Sequence, residues 1–598
     1  MTSSNWTHFM LLKTNRLFIA VSVSCAGLCA SLASAADLLS IRTLAPEKSI
    51  LVLGADDLDA TKTRFEKTPL AAWWKSPEVQ KASQKFRDEI DKSFGELTTE
   101  LGISRDDITC PSSLGAALFL ELNEATGTED PAFIVFVDWG KEAERFGKVY
   151  DAAIAKVEKD KPMPFTVEDM KGRRVYVFHE DKPVAAKDKQ GGMEEDEGPL
   201  ASMKLCVTRD GGRLLVSGGT TAMGDMLAKI DGDKGKTVAD NDDFKGSLET
   251  VGGAPDVYAT LLTEKAFAFI SRIEPGAAFM LGAGMGIIPS VIGDIRGWSL
   301  GIALDTPTAP LTQSIGAYIP GSKVGLLSLL ASAPAEKAPD VVPADAISYG
   351  RFNLKFNEIP RVLEDIIAKL PEGMSDQAKA TIEPYLPKMK ESFGAMGSTL
   401  HLWSSASANA GEPAPNVAAV PVTDAKQAQS LISLVGEGAE LKPRDFLGHT
   451  IYAGPDAEMP AIGFSSQFMF ISTAAEVEKA LRALGAKDNA SITSDPAYQA
   501  AAATWAKEDL VGYGFTNTIA MVENVEKMGD ALKEAQAMAQ GGVDVKDLNM
   551  DAFDDALKPE LLKQFFGPTV WQLRAMKSGF RTDFFVLPAA GAAPAAKK

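Results

Sequence analysis

The sequence predicts an α+β fold: two tandem homologous repeats, each a mainly antiparallel sheet with helices packed on one face. The first reason is an internal duplication. Gly172-Arg-Arg-Val-Tyr176, Leu214-Leu-Val-Ser-Gly218, a helical stretch at 220–230, Asp243-Phe244 and Asp256-Val-Tyr-Ala-Thr260 follow one another in the first half. Gly448-His-Thr-Ile-Tyr452, Phe468-Met-Phe-Ile-Ser472, a helical stretch at 474–484, Asp495-Pro-Ala-Tyr498 and Leu510-Val-Gly-Tyr-Gly514 repeat that order at similar spacing. Self-similarity on this scale means that one supersecondary plan is used twice. The second reason is that strand-like runs adjoin without intervening helices, which demands antiparallel pairing. Size agrees, because 598 residues with 45% hydrophobic and 24% charged side chains exceed one core and suit two.

Residues 1–35 read as an export signal. Lys13 and Arg16 precede an apolar stretch at 17–30, and Ala33-Ser34-Ala35 is a small-residue cleavage site. The apolar run falls short of the roughly 20 residues that a membrane span needs, and no later segment qualifies. The expected localisation is periplasmic or extracellular. Translation from Met10 rather than Met1 is a second possible start.

Repeat 1 is expected over 36–330. A strand at Ser49-Ile-Leu-Val-Leu53 leads to a helix at 61–74 broken near Pro69. A second helix carries Phe86, Ile90, Phe94, Leu97 and Leu101 on one face, the spacing of a core stripe. The strands Ala116-Ala-Leu-Phe-Leu-Glu-Leu122 and Phe133-Ile-Val-Phe-Val137 then suit a hairpin, followed by a helix at 141–157. Residues 182–199, with the run Glu194-Glu-Asp-Glu197, read as a solvated insertion loop. Gly297-Trp-Ser-Leu-Gly-Ile-Ala-Leu-Asp305 and Gln313-Ser-Ile-Gly-Ala-Tyr-Ile-Pro320 are expected to pair and close the repeat.

Residues 331–341, rich in Ala and Pro, read as a linker. Repeat 2, over 342–588, restates the plan: Ile347-Ser-Tyr-Gly-Arg-Phe352, a helix at 358–370, Thr399-Leu-His-Leu-Trp403, Val417-Ala-Ala-Val420 and a helix at 424–434. Val570-Trp-Gln-Leu-Arg-Ala-Met-Lys577 and Phe580-Arg-Thr-Asp-Phe-Phe-Val-Leu-Pro588 close it. Residues 589–598 read as a disordered tail.

Charge narrows the partners. Loss of Lys13 and Arg16 with the signal takes the formal charge from −19 to −21, a surface that repels nucleic acid and anionic lipid. Cys110 and Cys206 remain in the mature chain, and an oxidising compartment allows them to pair or to stand as two buried thiols.

Motifs for chemistry are few. Gly297-Trp-Ser299-Leu-Gly301 fits the G-x-S-x-G pattern, whose serine must sit at a strand-to-helix turn with a histidine base and an acid. Here the following residues alternate as a strand. His179, His401 and His449 form no closely spaced pair, so no zinc pattern arises. Gly282-Ala-Gly284-Met-Gly286 lacks phosphate-loop spacing, and residues 277–292 read as an apolar segment that could meet a ligand. Asp231-Gly-Asp233 and Asp240-Asn-Asp-Asp243 lack the closing Glu of a calcium loop and suit turns and caps. No catalytic, cofactor-binding or metal residue is assigned, and no cofactor is implied.

Leu44-Ala-Pro46, Val342-Pro-Ala-Asp345, Thr68-Pro-Leu70 to Pro77 and Pro320-Gly-Ser-Lys-Val-Gly-Leu-Leu-Ser-Leu-Leu330 bear a further signal. Through them the chain resembles a family of bacterial exported proteins of unknown function built from two tandem α+β repeats. That resemblance implies no activity. The reading is an exported, noncatalytic scaffold or binding protein, with an envelope protein or apolar small molecule as partner. A carrier of an apolar or lipid-like ligand and a hydrolase using Ser299 are the alternatives.

Overall fold

The structure, a computed structural model, describes residues 39–123, 127–179, 204–273, 288–406, 414–435, 441–456, 459–486, 490–523 and 558–589. The expected signal, the insertion at 182–199, the glycines at 282–286 and the tail from 590 lie outside them. The chain divides into two compact units. Unit 1 is Met1–Glu66, Ser83–Gly282 and Arg296–Leu304; unit 2 is Lys67–Ala82, Ala283–Ile295 and Asp305–Lys598.

Unit 1 holds β1 (Leu51–Ala55), β2 (Ser113–Asn123), β3 (Thr128–Asp138), β4 (Phe165–Met170), β5 (Arg173–Phe178), β6 (Leu205–Asp210), β7 (Arg213–Gly218), β8 (Val257–Leu262) and β9 (Gly297–Leu304). Its strands lie in the order β4-β5-β6-β7-β3-β2-β1-β8-β9, every pair antiparallel. Lys171 (φ 53°) and Gly172 (φ 75°) make the β4–β5 turn, both in the left-handed region that a two-residue hairpin of this twist requires.

Unit 2 holds β10 (Leu311–Tyr318), β11 (Ala346–Asn353), β12 (Thr399–Ser405), β13 (Asn416–Pro421), β14 (Lys442–Phe446), β15 (His449–Ala453), β16 (Pro460–Phe464), β17 (Phe468–Thr473), β18 (Leu510–Thr516), β19 (Phe566–Met576) and β20 (Gly579–Pro588). The order is β14-β15-β16-β17-β13-β12-β11-β18-β19-β20-β10, again all antiparallel. Leu447 (φ 55°) and Gly448 (φ 80°) turn β14 into β15. The bridges Pro46↔Thr237 in unit 1 and Pro343↔Ser491 in unit 2 fall at like places in the two orders.

Helices begin where the sequence offers caps. Asp57 caps Leu58–Phe65, and Thr68 with Pro69 starts Pro69–Trp74, which explains the break near Pro69. Asn241 caps Asp242–Glu249, Thr473 caps Ala474–Gly485 and Asp495 caps Pro496–Ala502.

Two expectations change. Helices cover parts of both sheet faces, not one. In unit 1, Met223, Met226, Leu227, Phe244 and Leu248 pack on Ile134, Phe136 and Leu215. On the opposite face Phe146 of helix Ala143–Asp160 packs against Val135, Val137 and Leu214, its ring stacked 3.9 Å from Trp139. In unit 2, Val477, Leu481 and Tyr498 cover Ile451 and Phe470, while Ala395, Met396 and Ala428 cover Val420, Ile462 and Met469 from the other side. A strand apolar at both alternations, such as Phe133-Ile-Val-Phe-Val137, leaves neither face to water.

β10 also runs beside β20 for seven residue pairs from Thr312↔Phe585 to Tyr318↔Gly579 and clusters with unit 2. Residues 331–341 are held by several contacts. Ala333 bridges Leu510, Ala338 and Val341 join the core, and the Glu336 and Ala338 amides donate to the hydroxyls of Tyr513 and Tyr498. The stripe on helix Gln84–Leu101 also differs, since Phe94 is buried but Ile90, Leu97 and Leu101 are only half-buried.

Candidate functional site

The residues that the sequence offered for chemistry do not gather. Ser299 lies mid-strand in β9, 2% exposed, with its hydroxyl 2.8 Å from that of Thr260. His179 Nε2 sits 3.1 Å from Thr166 Oγ1, His449 closes the β14–β15 hairpin, and His401 is buried in β12. No described histidine bonds to Ser299, and a strand interior is not the sharp turn that exposes a nucleophile.

The acidic turns are spoken for. Asp231 pairs with Arg173 at 2.7 Å, Asp233 with Lys229 at 3.3 Å, and Asp240 accepts from the Thr237 amide at 2.9 Å. Among the described residues no group of three or more potential ligand side chains is placed to hold a metal. Cys206 is a buried free thiol, so it is not joined to Cys110, and burial pushes its pKa up. No described helix is long and apolar enough to cross a membrane.

Two features of the sheet were not legible from motifs. The first is a buried polar row in unit 2. Strand register sets His401, Arg351, Tyr513, Gln572, Asp583 and Ser314 side by side across β12, β11, β18, β19, β20 and β10. His401 Nδ1 is 2.9 Å from the Tyr349 hydroxyl, and burial, with Arg351 beside it, lowers its pKa to about 4. Burial likewise raises Tyr349 well above the ordinary tyrosine value. Burial opposes the Arg351 charge, yet the Glu336 carboxylate at 2.6 Å holds its pKa above the ordinary value. The Tyr513 hydroxyl donates to the Glu336 carbonyl at 2.9 Å. Asp583 accepts from Ser314 and Arg581 at 2.6 Å and from Arg574 at 2.7 Å. Burial alone would raise its pKa, but the two arginines and Ser314 bring it below the usual carboxylate range. Every charge here has a counter-charge within the row or beside it, which is the geometry of a structural network. The available sequence signal was polar residues on the inward period of apolar strands, as in Phe580-Arg-Thr-Asp-Phe-Phe585.

The second feature is the part of each sheet that the described helices leave uncovered. In unit 1, Leu51, Leu261 and Trp298 lie in one row and Leu53, Ala259 and Leu300 in the next. Leu53 is 41% and Trp298 43% exposed. In unit 2 the corresponding face carries Gly350, Gly514, Trp571 and Phe584 in one row. A crevice beside Val341, Trp403, Lys479 and Ala480 has a volume of about 10 Å³, far below the roughly 300 Å³ at which small-molecule pockets begin. No family model, curated protein or solved structure matches the chain.

Proposed function

We propose that this chain is a noncatalytic extracytoplasmic binding protein, exported by the signal in residues 1–35 and built from two tandem copies of one α+β unit. The shared strand order, the hairpin turns at Gly172 and Gly448 and the bridges at Pro46 and Pro343 support the duplication. The observation that carries the binding reading is the uncovered sheet face. Leu53, Val257, Leu261 and Trp298 are each more than a third exposed on adjoining strands of unit 1, and a contiguous apolar patch of this kind marks an interaction surface. The paired charges of the buried row and the buried, threonine-bonded Ser299 give no nucleophile and base in reach of each other.

A carrier of an apolar or lipid-like ligand is the second reading, favoured by the aliphatic character of that same patch. Native mass spectrometry on mature protein purified from its own envelope tests both. A companion that is lost from the L53E/W298E double variant is expected, a partner protein indicating the scaffold and a small apolar molecule the carrier. A companion kept by the variant, or none on the wild type, overturns the proposal.

A further inference from the structure

Unit 2 carries a flat aromatic step on its uncovered face. Adjacent strands set Leu402, Gly350, Gly514, Trp571, Phe584 and Gln313 in one row. With no side chains on Gly350 and Gly514, the Trp571 indole lies back over both. A Cβ on Gly350 would stand 3.0 Å from its Cζ2, and one on Gly514 2.7 Å from its Nε1. Because Cβ atoms project out of the sheet plane, an indole resting on two such positions lies along the sheet, and Trp571 is half-buried there. The Phe352 ring flanks it at 5.0 Å, and Phe584 across the strand pair is 37% exposed.

The neighbouring row on the same face is hydroxylic. Ser404, Ser348, Thr516 and Thr569 stand in register, with the Ser348 and Ser404 hydroxyls 2.7 Å apart. Neither row contains a charged residue, in a chain that is 24% charged with a net charge of −19.

We propose that this surface binds an uncharged oligosaccharide, one pyranose ring stacking on Trp571 and another on Phe584, with its hydroxyls bonded along the row Ser348, Thr516 and Thr569. The inference rests on the reading that the uncovered faces bind, and it names the ligand of one of them. Charge complementarity selects a neutral occupant, since an ionic one meets no counter-charge here and an anion is repelled by the whole chain. The Ser348 and Thr569 hydroxyls are each engaged once, with Ser404 at 2.7 Å and Thr518 at 3.0 Å, and a hydroxyl has further hydrogen-bonding capacity that a sugar can meet and an acyl chain cannot. A sugar presents a C–H face and a hydroxyl rim, matching one row and then the other. From the strand of Gly350 to that of Phe584 is about 14 Å, three strand spacings, enough for a short run of rings. In unit 1 the same face shows Leu51, Leu53, Leu261 and Trp298 without such a row.

Isothermal titration of the full mature chain with cellohexaose, maltohexaose and N-acetylchitohexaose tests the proposal. At least one is expected to bind, with W571A weakening it about tenfold or more, F584A about threefold, and Y385A, at an exposed tyrosine outside both faces, leaving it unchanged. Phe584 is exposed enough that F584A keeps the test valid if W571A fails to fold. Binding by none of the three, or equal binding by W571A and F584A, overturns the assignment. If the sugars fail while the wild type keeps its envelope companion, the broader binding reading stands and only the sugar is lost. Failure of both removes both.

Discussion

The row through Tyr258 in unit 1 and the row through Tyr513 in unit 2 hold the same place in the strand order that the two units share, yet they are made of opposite materials. Around Tyr258 the register sets Gly115, Gly54 and Gly301. Around Tyr513 it sets His401, Arg351 and Gln572. Unit 1 fills the space by close approach: the Tyr258 ring lies on Gly54, Ile41 presses on Gly115, and Arg42 sits 4.3 Å over the tyrosine ring while pairing with Asp56 at 2.9 Å. Unit 2 fills it with polar side chains that must satisfy one another. One slot in a sheet can thus be closed by volume or by charge, and the two solutions respond to different perturbations.

The largest effect is expected where charge does the closing. Asp583→Ala leaves Arg574 and Arg581 facing each other without their shared counter-ion, and should cost about 3–5 kcal/mol. Urea unfolding with hydrogen exchange read in 566–588 measures this, and a cost under about 1 kcal/mol would mean that the arginines are already solvated. Next comes His401, whose folded pKa of about 4 lies below its ordinary 6.5. The unfolded chain takes up that proton first, so stability should fall as pH drops from about 6.5 to about 4, by up to ~3 kcal/mol. The slope should flatten in His401→Asn; an unchanged slope assigns it to other groups.

Volume gives smaller effects. Gly54→Ala puts a Cβ 2.4 Å from the Tyr258 hydroxyl and should destabilise unit 1 by about 1–3 kcal/mol without the acid sensitivity of unit 2. A thermal melt at two pH values separates the two behaviours. Smallest is Ser299→Ala, which removes one buried hydrogen bond to Thr260 and should cost about 1 kcal/mol. Hydrolysis of test esters that vanished in this variant would instead restore the hydrolase reading.

The sequence carried local structure well and distant pairing poorly. Pro69 marked a helix break, and the periodicity at 220–230 and 474–484 matched helices Thr220–Ile230 and Ala474–Gly485. These signals lie within a few residues of what they determine. The pairing of β10 with β20 did not, because nothing local in Gln313-Ser-Ile-Gly-Ala-Tyr318 points to a strand so distant in sequence. The polar row escaped for the same cause: Arg351, Gln572 and Asp583 look like isolated exceptions until register makes them neighbours. The helices on both faces were visible in the unbroken apolar run of β3, which rules out a one-sided sheet.

That same register governs how the chain can assemble. The contact between Ser314 and Asp583 joins residues 269 apart, and β1 reaches its neighbour β8 only after more than two hundred residues have been made. Pairings this remote in sequence close slowly, because loop entropy is lost before contacts compensate. While the chain is being made, the strands β10 and β11 wait for β20 and β18 with one edge each unpaired. Until the C-terminal strands arrive, β11 to β17 can pair among themselves but the outer edge of β11 stays open, and an open edge is the feature most prone to aggregate.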